Sequence, residues 1–232
     1  IDDGDNDLVL RRSDDGGKTW PPMQLVHEEG GAAVVTIGNP CPVVDRTTGV
    51  IWLAMNRNND RVLVTRSNDD GRTWAEPTDI TGQAKKPGWG WYAMGPGVGI
   101  QLAIGPHRGR LVIPCDHRET GNRSGPSSSH VIYSDDHGKT WERGELLPEQ
   151  DWGDENQLVE LADGRSLVAW ITHVTAEADG KPRPAPAGAT LAYRFVSALG
   201  EPGPSHVLSR RAISLGGVAL VAVDGKNSSK RN

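Results

Sequence analysis

What this sequence has little of narrows it first. Only two of its 232 residues are cysteine, Cys41 and Cys115, too few for a disulfide framework, and nothing in the sequence indicates that they pair. There is one phenylalanine, and no apolar run approaches the ~20 residues of a membrane span. Basic residues do not outnumber acidic ones: 25 Lys and Arg against 30 Asp and Glu give a formal net charge of −5, which offers no basic surface to a nucleic acid. No charged, apolar and small-residue leader follows Ile1, so we expect processing or truncation to have removed the natural start. Asp3, Asp5 and Asp7 have the spacing of a calcium loop, but Leu8 and Asp14 stand where that loop needs Gly and Glu, which excludes it. What is abundant is Gly (29), Pro (16) and Trp (8), in a chain long enough for one substantial domain with a core. That mixture suits many short strands joined by turns.

Three segments repeat one pattern. SDDGGKTW at 13–20, SNDDGRTW at 67–74 and SDDHGKTW at 134–141 all obey S-x-D-x-G-x-T-W. The copies start 54 residues apart (67 − 13) and then 67 apart (134 − 67), a period that argues for a propeller or an array of supersecondary units. The chemistry of the box is that of a turn. The Asp side chain is expected to bond backbone N–H groups two residues on, the Gly to take the positive φ, and the Ser and Thr hydroxyls to tie the ends. The Trp is expected to bury its ring between neighbouring sheets. The box aspartates, Asp15, Asp69 and Asp136, are therefore read as structural rather than catalytic.

Each box follows a β-like run, at 8–10, 62–64 and 131–133, and hairpins are expected at 42–44 with 50–55, at 99–103 with 111–113, and at 158–161 with 166–170. One unit thus reads hairpin, third strand, box, fourth strand, which is a four-stranded antiparallel blade. The fold class is all-β, a β-propeller, with a partial first blade, two full ones and the start of a fourth. Residues 1–172 carry the boxed blades. Residues 173–232 lack Trp and a box, contain PRPAPAG at 182–188, and keep strand-like runs at 191–196 and 218–223; they are a diverged blade or a tail.

The segments between the boxes, GNPCPVVDRTTGVIWL, WYAMGPGVGIQL, GRLVIPCDH and ENQLVELADG, in this order resemble the exo-α-sialidases (neuraminidases). The resemblance implies a six-bladed propeller of which about four blades are represented. It also implies a retaining glycoside hydrolase that removes terminal sialic acid from glycoproteins, glycolipids and oligosaccharides, without a metal or other cofactor. Such enzymes use a tyrosine nucleophile, because the substrate's own carboxylate would repel an anionic one; that tyrosine is expected outside the matched region. Residue by residue, the resemblance makes Asp2 the acid/base, with Asp3 its neighbour, and Glu155 the glutamate that accepts the tyrosine proton, in register with Gln157 and Glu160. It places Asn39, Asp116 and His117 among the substrate contacts, the latter two on a loop lining the pocket wall. Cys115-Asp116-His117 lacks the partners of a metal site. Trp89, Trp91 and Tyr92 offer either a sugar-stacking face or core packing. The compartment is open from the residues; the resemblance favours a secreted or periplasmic one.

Departures accompany the matches. One arginine of the family's carboxylate clamp would precede residue 1, and at the place of the second the chain has Ile171-Thr172. Tyr193, Arg194, Arg210 and Arg211 sit in no matching motif. The chain by itself is therefore expected to be inactive, and the competing reading is a non-catalytic boxed propeller that binds glycans or proteins.

Overall fold

The computed structural model describes residues 4–118, 127–145, 153–164, 166–172, 174–176, 182–184, 190–196 and 202–207. These form antiparallel sheets in chain order. The first pairs β1 (Leu8–Leu10) with β2 (Gln24–His27). The second is a meander of β3 (Ile37–Val44), β4 (Ile51–Arg57), β5 (Arg61–Ser67) and β6 (Thr78–Asp79), followed by the single-turn helix α1 (Thr81–Ala84). In the third, β7 (Tyr92–Met94) and β8 (Ile100–Gln101) share one edge of β9 (Leu111–Arg118), which continues to β10 (Ser127–Ser134) and β11 (Glu142–Glu145). The fourth begins with β12 (Gly153–Glu160) and β13 (Ser166–Thr172). A small hairpin of β14 (Val174–Ala176) and β15 (Pro182–Pro184) intervenes, and β16 (Thr190–Val196) and β17 (Pro202–Val207) then extend the sheet in the order β12-β13-β16-β17.

The fold is all-β, built of antiparallel blades. The fourth sheet goes beyond the single hairpin expected there, because β16 pairs along the whole of β13. The run at 218–223 lies outside the described residues. β7 is an addition to the expected hairpin of the third blade. No helix of the described residues is long and apolar enough to cross a membrane.

Burial follows from stacking. Period-2 alternation on β4 sends Leu53 and Met55 to a core shared with Leu8 of β1 and Ile37, while Trp52 and Ala54 face a second core with Met94, Ile113 and Ile132 of the third sheet. Because sheets cover both faces, β9 is buried along nearly its whole length and is apolar from Leu111 to Cys115. Polar clamps fix the stack. Asp45, in the turn after β3, accepts from Thr48 Oγ1 (2.7 Å) and the Thr47 N–H (2.9 Å), from Gln101 Nε2 of the next sheet (2.8 Å), and pairs with His137 Nδ1 (2.8 Å).

The three boxes are superimposable in their hydrogen bonds. The Ser Oγ accepts the Gly N–H four residues on, at 2.8 Å in each copy, and one Asp oxygen accepts the Thr N–H at 2.9 Å. The other Asp oxygen accepts the Thr hydroxyl. The Asp thus reaches four residues ahead, not two, and the Ser hydroxyl serves the nearer N–H groups. Gly17, Gly71 and Gly138 all have positive φ. The tryptophans do not share one fate: Trp141 is 2% exposed, Trp74 is half-buried and Trp20 is 51% exposed. The second and third box rings pack toward the sheet before their own, Trp141 against Trp52 and Trp74 against the core shared with β1. No sheet precedes β1 among the described residues, so Trp20 has nothing to cover it.

Candidate functional site

The inner strands of the second and fourth blades carry the same irregularity. On β3, Gly38 pairs with Asn56 and Cys41 with Ala54, so Asn39 and Pro40 together face Met55. On β12, Gly153 pairs with Thr172 and Asn156 with Trp170, so Asp154 and Glu155 together face Ile171. Both are two-against-one bulges, a device that re-aims side chains at the rim of a sheet. Asn39 adopts φ 51°, a left-handed conformation that Asn tolerates better than most residues. The third blade breaks its inner edge at the matching place, where residues 95–99 separate β7 from β8.

That Gly-rich loop joins the two bulged strands. The Gly99 N–H donates to Pro42 O of β3 (2.8 Å), the Asn156 N–H of β12 donates to Gly95 O (3.2 Å), and Gln157 Nε2 donates to Val98 O (2.7 Å). Gly97 has φ 117°, a conformation that L side chains rarely adopt, and a Cβ there would meet Gln157 Oε1 at 2.9 Å. Glu160 accepts the Ala103 and Ile104 N–H groups at 2.7 and 3.1 Å, which secures the outer end of β12. Gln157 and Glu160 hold blades together, while Glu155, on the bulge, is exposed.

Asp116 and His117 require correction. They lie on β9, not on a loop, and adjacent residues of a strand face opposite sides. Asp116 (0% exposed) faces the fourth blade and His117 (5%) the second, so they form no common wall and neither reaches solvent. His117 stacks on Trp89 (centroids 3.3 Å, 14°), and its Nδ1 lies 3.0 Å from His130 Nδ1. His130 Nε2 lies 2.8 Å from the hydroxyl of fully buried Tyr92. Burial, then the nearby Lys86, pushes His117 down to about 4, and burial drives His130 well below the ordinary imidazole range. Trp89 and Tyr92 are thus packing groups. Trp91 remains half-buried with the Arg118 guanidinium 5.1 Å above its ring.

Asp116 meets the bulge instead. Burial, then the charge and hydrogen-bonding proximity of Asp154, then Glu155, hold its carboxyl well above the usual carboxylate range, against the pull of Arg118. Ser129 Oγ donates to Asp154 O (2.8 Å) and Asn156 Nδ2 to Cys115 O (2.7 Å). Neither Ser129 nor Asn156 stood out in the sequence; only the pairing of sheets brings them here. Asp2, with its neighbour Asp3, lies outside the described residues. Among the described residues, no three His, Cys, Asp or Glu side chains are grouped so as to hold a metal ion. The site is therefore an exposed carboxylate, Glu155, on a bulge beside half-buried Asp154 and buried Asp116, with Asn39 on an equivalent bulge across the 95–99 loop.

Comparison with known proteins gives this arrangement its relatives. Residues 1–173 match the BNR repeat-like domain family. A sialidase of Micromonospora viridifaciens is 36% identical over 184 residues, covering 71% of this chain and 28% of that protein. Human sialidase-4 is 34% identical over 188 residues, covering 68% of this chain and 37% of its own length. Among solved structures, a Hadza microbial sialidase superposes with a TM-score of 0.66 at 27% identity, over 84% of this chain and 39% of that one. The chain thus spans well under half the length of these relatives.

Proposed function

The chain belongs to the BNR repeat-like domain family, and from that membership we propose that the protein is an exo-α-sialidase-type glycoside hydrolase that removes terminal sialic acid from glycoconjugates. The observation that carries the reading is the Asp154-Glu155 bulge, on which Glu155 is exposed between the buried positions Gly153 and Asn156 of the inner strand. Glu155 is suited to take a proton from a tyrosine nucleophile, the group such enzymes use where the anomeric carbon bears a carboxylate. Asp2 is the proposed acid/base and Asn39 a proposed contact to the sugar. The mechanism is retaining, and the substrates are sialylated glycans.

A second reading, a boxed propeller that binds glycans without cleaving them, is favoured by one observation. Ile171, opposite the Glu155 bulge, stands with Thr172 where the resemblance calls for an arginine of the carboxylate clamp. Hydrolysis of a fluorogenic α-sialoside by the purified protein and by its Glu155→Gln variant separates the two. The enzyme reading expects turnover in the parent and a kcat lower by about 10²-fold or more in the variant. Equal kcat values would remove Glu155 from the chemistry, and no turnover with retained affinity for a sialylated oligosaccharide would select the binding reading.

A further inference from the structure

The chemistry above leaves Asp116 unused. Its carboxyl has no exposed surface, and among the described residues no hydrogen-bond donor reaches either oxygen. An ionised carboxylate so deep in a protein is costly unless donors or cations surround it. What Asp116 has is another carboxyl. Ser129, its cross-strand partner on β10, holds the Asp154 carbonyl, and Asn156 holds the carbonyl of Cys115, so the bulge is fastened on both sides of Asp116. After burial, the strongest influences on its carboxyl are the Asp154 side chain and then the Glu155 charge. Two carboxyls in contact share one proton, because like charges at that separation do not both ionise.

We propose that Asp116 is a positioning residue for Glu155: it stays a neutral carboxylic acid, donates its proton to the Asp154 carboxylate, and so holds the bulge on which Glu155 stands. The proposal rests on the role given to Glu155 above. The titratable or charged groups around Asp116 are Asp154 and Glu155 on β12, Arg118 and Cys115 on its own strand, and Tyr92 on β7. Tyr92 and Cys115 are held neutral, chiefly by burial, so ionisation of Asp116 at high pH adds one negative charge directly beneath Glu155. Losing its proton leaves the bulge held at this point by the Ser129 and Asn156 bonds alone and sets two carboxyls against each other. Activity is then lost on the alkaline side.

Three measurements test this. In protein labelled with carbon-13 at Asp carboxyls, the Asp116 resonance, assigned by its disappearance in Asp116→Asn, is expected at the position of a neutral acid near pH 6. Asp116→Asn can still donate to Asp154 but cannot ionise, so its kcat profile is expected to extend on the alkaline side by about one pH unit or more. Asp116→Ala cannot donate, so its kcat is expected to fall on the order of tenfold with KM changed less than about threefold, and the Asn variant to recover most of the difference. An ionised resonance near pH 6, or Asn and Ala variants with the same profile and kcat, would overturn the proposal. If Asp116→Ala does not fold, the resonance and the Asn profile still decide. Failure of the Glu155 role shows in Glu155→Gln alone; failure of this inference leaves Glu155→Gln inactive and shows in the Asp116 measurements.

Discussion

The three box glycines form an internally controlled experiment. Gly17, Gly71 and Gly138 occupy the same turn with φ of 86°, 80° and 85°, so alanine at any of them bears the same backbone penalty. That penalty is about 1–2 kcal/mol for an L-residue held in a left-handed conformation. The surroundings differ. A Cβ at Gly17 or Gly71 meets nothing nearer than a tryptophan edge at 3.8 or 3.7 Å, ordinary van der Waals contact. A Cβ at Gly138 would overlap the indole of Trp52, which is buried and braced edge-on by Trp141 at 6.3 Å. Overpacking of that kind adds about 1–3 kcal/mol. Gly17→Ala and Gly71→Ala should therefore cost about 1–2 kcal/mol each, and Gly138→Ala about 2–5 kcal/mol. Urea unfolding followed by tryptophan fluorescence reads this as similar midpoints for the first two variants and a clearly lower one for the third. If Gly138→Ala unfolds at the same urea concentration as Gly71→Ala, the close stacking of the third box on the second blade is wrong.

Two further stability predictions follow from the same stack. Trp141→Ala should cost about 3–5 kcal/mol as a buried aromatic truncation, whereas Trp20→Ala, at a half-exposed ring, should cost about 1 kcal/mol or less; thermal melts of the pair compare them. Asp45 is raised by burial, but bonds from Thr48, His137, Thr47 and Gln101 outweigh this and lower it from 3.8 to about 2. A depressed carboxylate contributes its stability above pH ~4 and loses it as pH falls toward ~2, here about 2 kcal/mol. Stability of Asp45→Asn, measured by urea unfolding at stepped pH, should accordingly fall less steeply than the parent's over that window; parallel curves would exclude Asp45 as the acid-sensitive clamp.

How much of this was legible in the residues depends on the range of the interaction. The boxes were legible because S-x-D-x-G-x-T-W satisfies its own hydrogen bonds within eight residues, whatever lies around it. Strand runs such as β1 and β5 were legible for the same reason, being local patterns bounded by turns. The fate of the box tryptophans was not: identical turns leave Trp141 buried and Trp20 open because burial is decided by the neighbouring sheet. Asp116-His117 could be noticed as a polar pair ending an apolar strand. Alternation even dictates that the two point apart, yet only the stacking of blades shows that one meets a carboxylate bulge and the other a histidine–tryptophan cluster. The bulges at Asn39-Pro40 and Asp154-Glu155 are invisible along the chain, since a bulge exists only relative to the partner strand. The sequence by itself determined where the turns fall and the all-β class, both set by local covalent pattern, while the candidates Glu155 and Asn39 came from its resemblance to a known family. Tertiary structure alone decided which carboxyls share a buried gap and which one stands in solvent, because desolvation and charge proximity belong to the assembled sheets.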